Sequence, residues 1–320
     1  MKDLKDTTNL TWSFSQIWNK SLEQREEREL RPRNRIWASE LGGAYIDRYL
    51  KMNGVPYSNP IDPRSLRKFE AGNLMEWVVG LVLKRAGILT EYQKWIGFQY
   101  PGLLEVSGKL DYTAGGYPDW GKAEEEIKEL GLPDFFDRAT SDILSYFKKT
   151  FPKGLNEVVL EIKSCSAFMF DNYAENGANP NHKLQAYHYL KATNRPEAHI
   201  VYISKDDLRM AEYGVFAGQL EEEYKNDIEV MTNCFQSNIE PPKEKEIVFE
   251  NDKFSANWKV GYSNYLTKLY GYKNQTEFDA KNKPLASKFN RVLKRVKEGK
   301  TMTEDNLTIL EGMKKVGYGN

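Results

Sequence analysis

Two short segments carry the residue types that chemistry on a phosphodiester requires. Asp111 ends the segment Ser-Gly-Lys-Leu-Asp, and Glu161 and Lys163 lie at the end of Val-Val-Leu-Glu-Ile-Lys. Because alternate residues of a strand share a face, Glu161 and Lys163 point to one side and their aliphatic neighbours to the other. Burying such charges is costly unless a partner holds them. A divalent metal shared with Asp111 would do so, which suggests metal-assisted phosphodiester hydrolysis.

The Glu-x-Lys spacing alone is not specific, because the chain contains four such triplets. Only Glu161 follows a β-branched apolar run, which is typical of a buried strand. The other three lie in charged or basic stretches that are typical of solvated helix faces. An ordinary Glu–Lys ion pair on a half-exposed strand remains the alternative interpretation of Glu161 and Lys163.

Oxygen ligands are what Mg²⁺ and Mn²⁺ prefer, commonly one or two carboxylates with waters and substrate phosphate. Asp111 and Glu161 suit such a site, and the backbone carbonyl of Ile162 is a further candidate ligand. Glu76 lies on a helix face of small and apolar residues, so it is a candidate third acid, although pairing with a nearby Lys or Arg is the alternative. Lys163 would orient or deprotonate the attacking water, or neutralise charge on the phosphate.

A predicted helix over 181–193 supplies candidate phosphate contacts. Gln185 and Tyr189 are four residues apart and therefore share a helix face. Lys183 lies near the start of the same helix, where the helix dipole favours an anion. The alternative is a partly buried amphipathic helix whose tyrosines border the core.

The order of predicted elements indicates a mixed α/β fold with helices on both faces of a central sheet. We predict an N-terminal lead-in over 1–35, a core over 36–242 and a helical accessory region over 243–320. Gly115-Gly116 opens a predicted insertion of about 115–156, which contains an acidic helix and a second helix near 134–149. The insertion either shapes a DNA channel or binds a protein partner.

Composition limits the function classes. The 320 residues are 40% apolar and carry no net charge, and the two cysteines are too few for a disulfide framework or a cysteine-ligated cluster. We find no bilayer-spanning run and no signal-peptide pattern, so we expect a cytoplasmic protein without membrane contact. Zero net charge argues mildly against coating nucleic acid through bulk charge, but a local basic field is compatible with it.

Three motifs in chain order resemble the PD-(D/E)XK nuclease superfamily. They are Gly108-x-x-Asp111, Glu161-x-Lys163 on an apolar strand and Gln185-x-x-x-Tyr189 on the following helix. The last motif is similar to the RecB-like branch, which includes lambda-exonuclease-like enzymes, and the resemblance covers roughly residues 36–242. It implies a restriction-endonuclease-like core and Mg²⁺-dependent (or Mn²⁺-dependent) DNA cleavage.

The resemblance also implies residue roles. Asp111 and Glu161 would be metal ligands, Lys163 would act at the attacking water, and Gln185 and Tyr189 would lie near the DNA end or scissile phosphate. Many RecB-like members carry a metal-binding histidine on an upstream helix, and Glu76 occupies the matching position here. Relatives with an iron–sulfur cluster carry cysteines, partly after a Pro-rich stretch like Pro241-Pro242. This chain continues without cysteines through 243–271, so no cluster is expected.

The leading hypothesis is therefore a metal-dependent DNA exonuclease of recombination, repair or phage DNA metabolism. An endonuclease on the same core is the first alternative. The second is a nuclease-fold protein that binds DNA or a protein partner without cutting. Digestion polarity, strand preference and oligomeric state stay open, as does the choice between DNA and protein as the partner of the C-terminal region.

Overall fold

The computed structural model describes residues 16–18, 20–22, 31–116, 125, 129 and 134–318. The predicted acidic helix of the insertion therefore lies outside the described residues, apart from two single positions. The chain divides into two compact units. The first is mainly Asn34–Gly42 and Pro63–Asn233, and the second is mainly Gly43–Asp62 and Cys234–Asn320.

The first unit is built from both strands and helices. Its elements are β1 (Arg35–Trp37), α2 (Pro63–Arg85), β2 (Leu89–Phe98), β3 (Glu105–Gly116), α3 (Asp134–Thr150), β4 (Leu155–Cys165), α4 (Ala167–Asn176), α5 (Pro180–Thr193), β5 (Glu197–Ser204), β6 (Met210–Phe216) and α6 (Glu221–Gln236), which crosses the boundary. Helix α1 (Tyr45–Met52) precedes α2 in the chain and belongs to the second unit.

Among the described residues, six strands form one mixed sheet. Five of them are hydrogen-bonded in the order β1-β3-β4-β5-β6, and β2 pairs with β3 outside that path. The pairs β2–β3, β3–β4 and β5–β6 are antiparallel, whereas β1–β3 and β4–β5 are parallel. A parallel pair needs a crossover, and α4 and α5 supply it between β4 and β5. The predicted mixed α/β fold, with a mixed central sheet flanked by helices, is confirmed.

Packing in the core accounts for the alternation of apolar and charged residues near the end of β4. Leu160 and Ile162 are buried with Tyr112 against one layer, where Val79 and Leu83 of α2 pack on them. Their alternation sends Glu161 and Lys163 to the opposite face, which α5 covers. The acid and the base are therefore held on the sheet face that the strand period predicts.

Local signals account for the ends of the two helices that flank the sheet. Helix α2 begins at Pro63 and is followed by Gly87, whose φ of +68° suits the left-handed residue after a helix. Helix α5 has Pro180 in its first turn, and the Asn179 side chain accepts the Asn181 backbone N–H at 2.8 Å. Helix α5 matches its predicted range of 181–193 closely.

The second unit contains a β-hairpin that the sequence analysis missed. After α1 it contains β7 (Ile247–Glu250), β8 (Lys253–Ala256), α7 (Trp258–Gly261), α8 (Leu266–Tyr270), α9 (Gln275–Lys297) and α10 (Glu304–Lys315). Its core packs Phe254 of β8 against Phe289 and Val292 of α9. Four helices cover most of the described residues after 243, a region predicted to be mostly helical, and the hairpin is a strand element that this prediction did not include.

The division into units also differs from the predicted core range of 36–242 at two segments. Residues 43–62 and 234–242 were predicted within the core, whereas their contacts group them with the second unit. The remaining predicted boundaries stay a prediction. In the part of the chain that the structure describes, no helix combines the length and the apolar character that a bilayer crossing requires.

Gly80 of α2 gives a test of how this helix packs on the sheet. A Cβ at Gly80 would lie 2.7 Å from two ring carbons of Tyr112. We therefore expect Gly80→Ala to lower the free energy of unfolding by about 1–3 kcal/mol through overpacking, despite the roughly 0.5–1 kcal/mol that Ala normally gains over Gly in a helix. Gly312→Ala in α10, where the nearest atom is 3.4 Å away, is the control and should be neutral or stabilising. Urea denaturation measures both, and an unchanged or raised stability for Gly80→Ala would contradict this packing.

Candidate active site

Strands β3 and β4 separate at the position where the predicted acids lie. Their antiparallel pairing ends at Tyr112 opposite Leu160, one residue short of Asp111 and Glu161, while β4 stays paired with β5 to the end of the strand. The carboxylate of Asp111 bridges the gap, because its Oδ2 accepts the backbone N–H of Ile162 at 2.8 Å. The two acids, 50 positions apart in the chain, are thus brought to neighbouring positions on adjacent strands.

Glu161 is 1% exposed and forms a close ion pair with Lys163, whose Nζ lies 2.5 Å from Glu161 Oε1. The other carboxylate oxygen, Oε2, is buried and has no hydrogen-bond partner within the described part of the chain. A buried carboxylate oxygen without a partner is costly, and a ligand that binds there would remove that cost. Geometry therefore brings Asp111, Glu161 and Lys163 together, as the sequence predicts.

Burial is the largest influence on the pKa values in this cluster, and the charges of Glu161 and Lys163 modify it. Burial raises the pKa of Asp111 well above its usual range, and the charge of Glu161 raises it further. Burial likewise raises the pKa of Glu161, although Lys163 partly offsets the effect. For Lys163, burial works to lower the pKa, but the charges of Glu161 and Asp111 outweigh it and leave the pKa above its usual value. The lysine is therefore an ammonium at neutral pH in this environment.

Helix α5 approaches the same face through Tyr189. The Tyr189 hydroxyl donates to the backbone carbonyl of Lys109 at 3.0 Å, and Gln185 Nε2 donates to that hydroxyl at 3.3 Å. This approach needs a residue without a side chain at Gly108, where a Cβ would lie 2.9 Å from the hydroxyl oxygen and 2.6 Å from the Cβ of Ala38. Gln185 and Tyr189 are both buried, and burial together with the charge of Glu161 raises the pKa of Tyr189. They form a wall of the site, and their predicted DNA contact stays a prediction.

The start of α5 contributes two further residues. Lys183 is partly exposed in the first turn of the helix, where it was predicted to attract phosphate. His182 Nδ1 lies 2.7 Å from the hydroxyl of Tyr202 on β5. Burial lowers the pKa of His182 to about 3, and the positive charge of Lys163 contributes to the decrease. The imidazole ring is therefore neutral at neutral pH.

Glu76 of α2 interacts with the cluster but is held by another residue. Its Oε1 accepts a hydrogen bond from the side-chain amide of Gln93 on β2. Burial raises the pKa of Glu76, and Glu161 raises it further, whereas Lys109 and Lys163 lower it. In the described residues, no group of three or more His, Cys, Asp or Glu side chains is arranged to hold a metal ion. Glu76 therefore does not complete a three-acid site in this structure, and its role as a ligand stays a prediction.

The remaining donors fit a hard divalent cation. Asp111 and Glu161 are adjacent carboxylates, which are the ligand type that Mg²⁺ and Mn²⁺ take in ones or twos. The orphaned Oε2 of Glu161 is a buried, negatively charged oxygen that a cation would satisfy. The Ile162 backbone N–H orients Asp111, so Ile162 has a structural link to the site in addition to its predicted carbonyl ligand.

Sequence reasoning missed three residues beside the site. Lys109 is exposed, lies two residues before Asp111 on the same strand face, and lowers the pKa of Glu76 through its charge. His182 precedes Gln185 by three residues and so shares its helix face. Both spacings were available in the sequence. Gln93 gave no such signal, because its amide reaches Glu76 from a strand position with φ of +50°, a conformation that non-glycine residues rarely adopt.

Comparisons with known proteins give structural likenesses at low identity. No family model matches the chain, and no curated protein matches it. The crystal structure of SSO0001 aligns at 14% identity over 81% of this chain and 96% of that chain, with a TM-score of 0.47. An alkaline exonuclease, LHK-Exo from Laribacter hongkongensis, aligns at 12% identity over 68% and 94%, with a TM-score of 0.33. The structure of LHK-Exo in complex with dAMP aligns at 12% identity over 67% of this chain and 94% of that chain, with a TM-score of 0.37. None of these likenesses identifies a family for the chain.

The raised pKa of Asp111 predicts an unusual pH dependence of stability. A carboxyl whose pKa is higher in the folded state destabilises that state once pH exceeds its unfolded value of about 3.9. Asp111→Asn keeps an oxygen that can accept the Ile162 N–H. In the presence of a chelator, we therefore expect Asp111→Asn to be more stable than the wild type at neutral pH, by a margin that shrinks as the pH falls toward about 4.

Urea titrations from about pH 4.5 to 8 would measure this margin. Asp207→Asn is the control, because hydrogen bonds to Ser204 and Arg209 lower the pKa of that exposed carboxyl. Its stability relative to the wild type should show no such gain at neutral pH. A pH-independent difference in stability for Asp111→Asn would show that folding does not raise the pKa of this carboxyl.

Proposed function

We propose that this chain is a Mg²⁺-dependent deoxyribonuclease that acts as an exonuclease in DNA recombination, repair or phage DNA metabolism. The observation that carries the proposal is the convergence of Asp111 and Glu161 beside Lys163, with one buried carboxylate oxygen left without a partner. The motif resemblance to RecB-like nucleases supports DNA as the substrate and exonuclease as the mode. Mn²⁺ would serve in place of Mg²⁺, and no iron–sulfur cluster takes part.

Each residue has a role that follows from its position. Asp111 and Glu161 would hold the cation, and Ile162 orients Asp111 through its backbone N–H. A divalent cation bound there supplies Lewis-acid stabilisation of the phosphate and lowers the pKa of water. Lys163, fixed by its ion pair with Glu161, positions the attacking water and neutralises charge that develops on the phosphate oxygens. Lys183 would contact the phosphate backbone near the start of α5.

The wall formed by Gln185 and Tyr189 holds β3 in place beside the reacting groups. Because the Tyr189 hydroxyl donates to the carbonyl of Lys109, two residues before Asp111, it fixes the strand that carries the first acid. A DNA end or scissile phosphate would then lie against this wall. Glu76 stands next to the cluster as a predicted third ligand, and the side-chain amide of Gln93 holds its Oε1 in this structure.

Digestion of linear and closed-circular DNA tests the proposed activity. We expect Mg²⁺-dependent loss of linear duplex DNA, with closed circles left intact and activity abolished by a chelator. Cutting of circles would make the protein an endonuclease instead. A mobility shift of either DNA without cutting would make it a binding protein and would overturn the proposed activity.

A second test separates the cation ligands from Lys163. Glu161→Ala should weaken Mg²⁺ or Mn²⁺ binding in calorimetry and abolish cleavage, and Asp111→Ala should do the same. Lys163→Ala should lower cleavage by at least about 100-fold while cation affinity changes little, because the lysine acts on water and phosphate.

The matched control for Lys163 is Lys300→Ala. Lys300 lies two residues after Glu298, pairs with it at 2.7 Å and is 60% exposed, so it reproduces the Glu-x-Lys spacing in water. Cleavage by Lys300→Ala should remain at the wild-type level. Near wild-type turnover by Lys163→Ala would remove that lysine from the mechanism, and unchanged cation affinity in both acid variants would refute the ligand assignment.

A further inference from the structure

Helix α9 carries two basic faces that differ in how their charges are compensated. Between positions 281 and 297 the helix has seven Lys or Arg residues and no acid. With 3.6 residues per turn, Lys288, Arg291 and Arg295 fall on one face. The basic residues of the other face are Lys283, Lys294 and Lys297, and the seventh, Lys281, lies 5.0 Å from the centroid of the Tyr272 ring.

Acidic partners neutralise the second of these faces. Lys283 pairs with Asp279 at 2.8 Å, Lys297 with Asp252 at 3.1 Å and Lys294 with Glu298 at 3.9 Å. These are exposed ion pairs of the kind that contribute little to stability. Their consequence is electrostatic, because they cancel the positive potential on that side of the helix.

The face formed by Lys288, Arg291 and Arg295 keeps its charge. Within the described part of the chain, neither Lys288 nor Arg291 forms an ion pair or a hydrogen bond. Arg295 donates to the backbone carbonyl of Thr301 at 2.8 Å, a neutral acceptor that leaves the guanidinium charge uncompensated. Three like charges held along one rigid helix are unfavourable by themselves, so the face favours an anionic ligand.

These three residues line a groove of about 660 Å³ against the start of α10. The opposite wall contains Thr303, Asn306 and Thr308, whose side chains are of the type that hydrogen-bonds to phosphate oxygens. Asp305 also lines the groove and lowers its positive potential. The groove is thus a mixture of cations and neutral polar donors with one acid.

We propose that this groove, lined by the Lys288–Arg295 face of α9 and the first turn of α10, binds the phosphate backbone of a nucleic acid without base specificity. The face extends over the eight residues 288–295, or about 10 Å of helix, so its charges form a row that suits a line of phosphates. Neutral hydroxyl and amide donors beside the row favour phosphate oxygens over the carboxylates of an acidic protein. The inference rests on the proposed function in that DNA is the expected polymer.

The experiment compares two double variants that remove the same charge from opposite faces of one helix. Lys288→Gln with Arg291→Gln removes two uncompensated charges, and Lys283→Gln with Lys297→Gln removes two compensated ones. Binding to a labelled duplex of about 30 base pairs is measured by fluorescence anisotropy, in the presence of a chelator, over a range of salt concentrations.

We expect the first variant to reduce the slope of log affinity against log salt by about 1.8, since each phosphate contact contributes about 0.9. Its affinity at about 0.1 M salt should fall on the order of tens of fold. The second variant should keep the wild-type slope. Asp305→Asn, which removes the acid from the groove, should strengthen binding. Equal losses in the two double variants, or no loss in either, would overturn the proposal.

Polyglutamate as a competitor distinguishes an acidic protein from a nucleic acid. If polyglutamate bound through Lys288 and Arg291 while duplex affinity did not depend on them, the groove would be a protein-docking surface and the proposal would be wrong. Failure of the proposed function is separable from this result. If the wild type cut no DNA but the first double variant lost duplex affinity, the proposed groove would stand and the proposed nuclease activity would be wrong.

Discussion

Charge held in a place of low dielectric constant is the constraint on which the rest of the structure depends. Around the end of the β3–β4 pairing, three carboxylates influence the pKa of one ammonium, that of Lys163. Each acid has found a single compensating donor: Asp111 has the Ile162 N–H, Glu161 has Lys163 and Glu76 has Gln93. Burial raises the pKa of all three carboxyls, the charge of Glu161 adds to the rise at Asp111 and Glu76, and the nearby ammonium of Lys163 offsets only part of it.

Two tyrosines hold the helices that flank this cluster, and both do so through backbone carbonyls. The Tyr112 hydroxyl donates to the carbonyl of Glu76 at 2.8 Å, which ties α2 to β3 on one face of the sheet. The Tyr189 hydroxyl donates to the carbonyl of Lys109, which ties α5 to β3 on the other. Gly80 and Gly108 make the space for these rings. The strand that carries Asp111 is thereby fixed from both sides, which gives its carboxylate one position.

Sequence reasoning succeeded where one local period decides the outcome. Alternation along β4 separates Glu161 and Lys163 from Leu160 and Ile162, and the structure has that arrangement. It failed at the β7–β8 hairpin, although a signal was present: Asn251 and Asp252 link two short strands and both have positive φ, as a tight hairpin turn requires. The Lys- and Asn-rich composition around them favoured a helical interpretation. The bond between Glu76 and Gln93 could not be predicted, because it depends on an unusual backbone angle and on the packing of α2.

The same Glu-x-Lys spacing has different consequences in this chain because its surroundings differ. Glu298 and Lys300 pair at 2.7 Å with 37% and 60% of their side chains exposed, so solvent screens the pair and it stabilises the fold by at most about 1 kcal/mol. Glu161 and Lys163 pair at 2.5 Å with 1% and 24% exposed. Desolvation there offsets much of the attraction, so the buried pair is a poor source of stability. A fold that keeps such a pair, with a buried oxygen lacking a partner beside it, retains a cost that a well-packed apolar pair would avoid. That cost is the physical reason for proposing a functional role for Glu161 and Lys163.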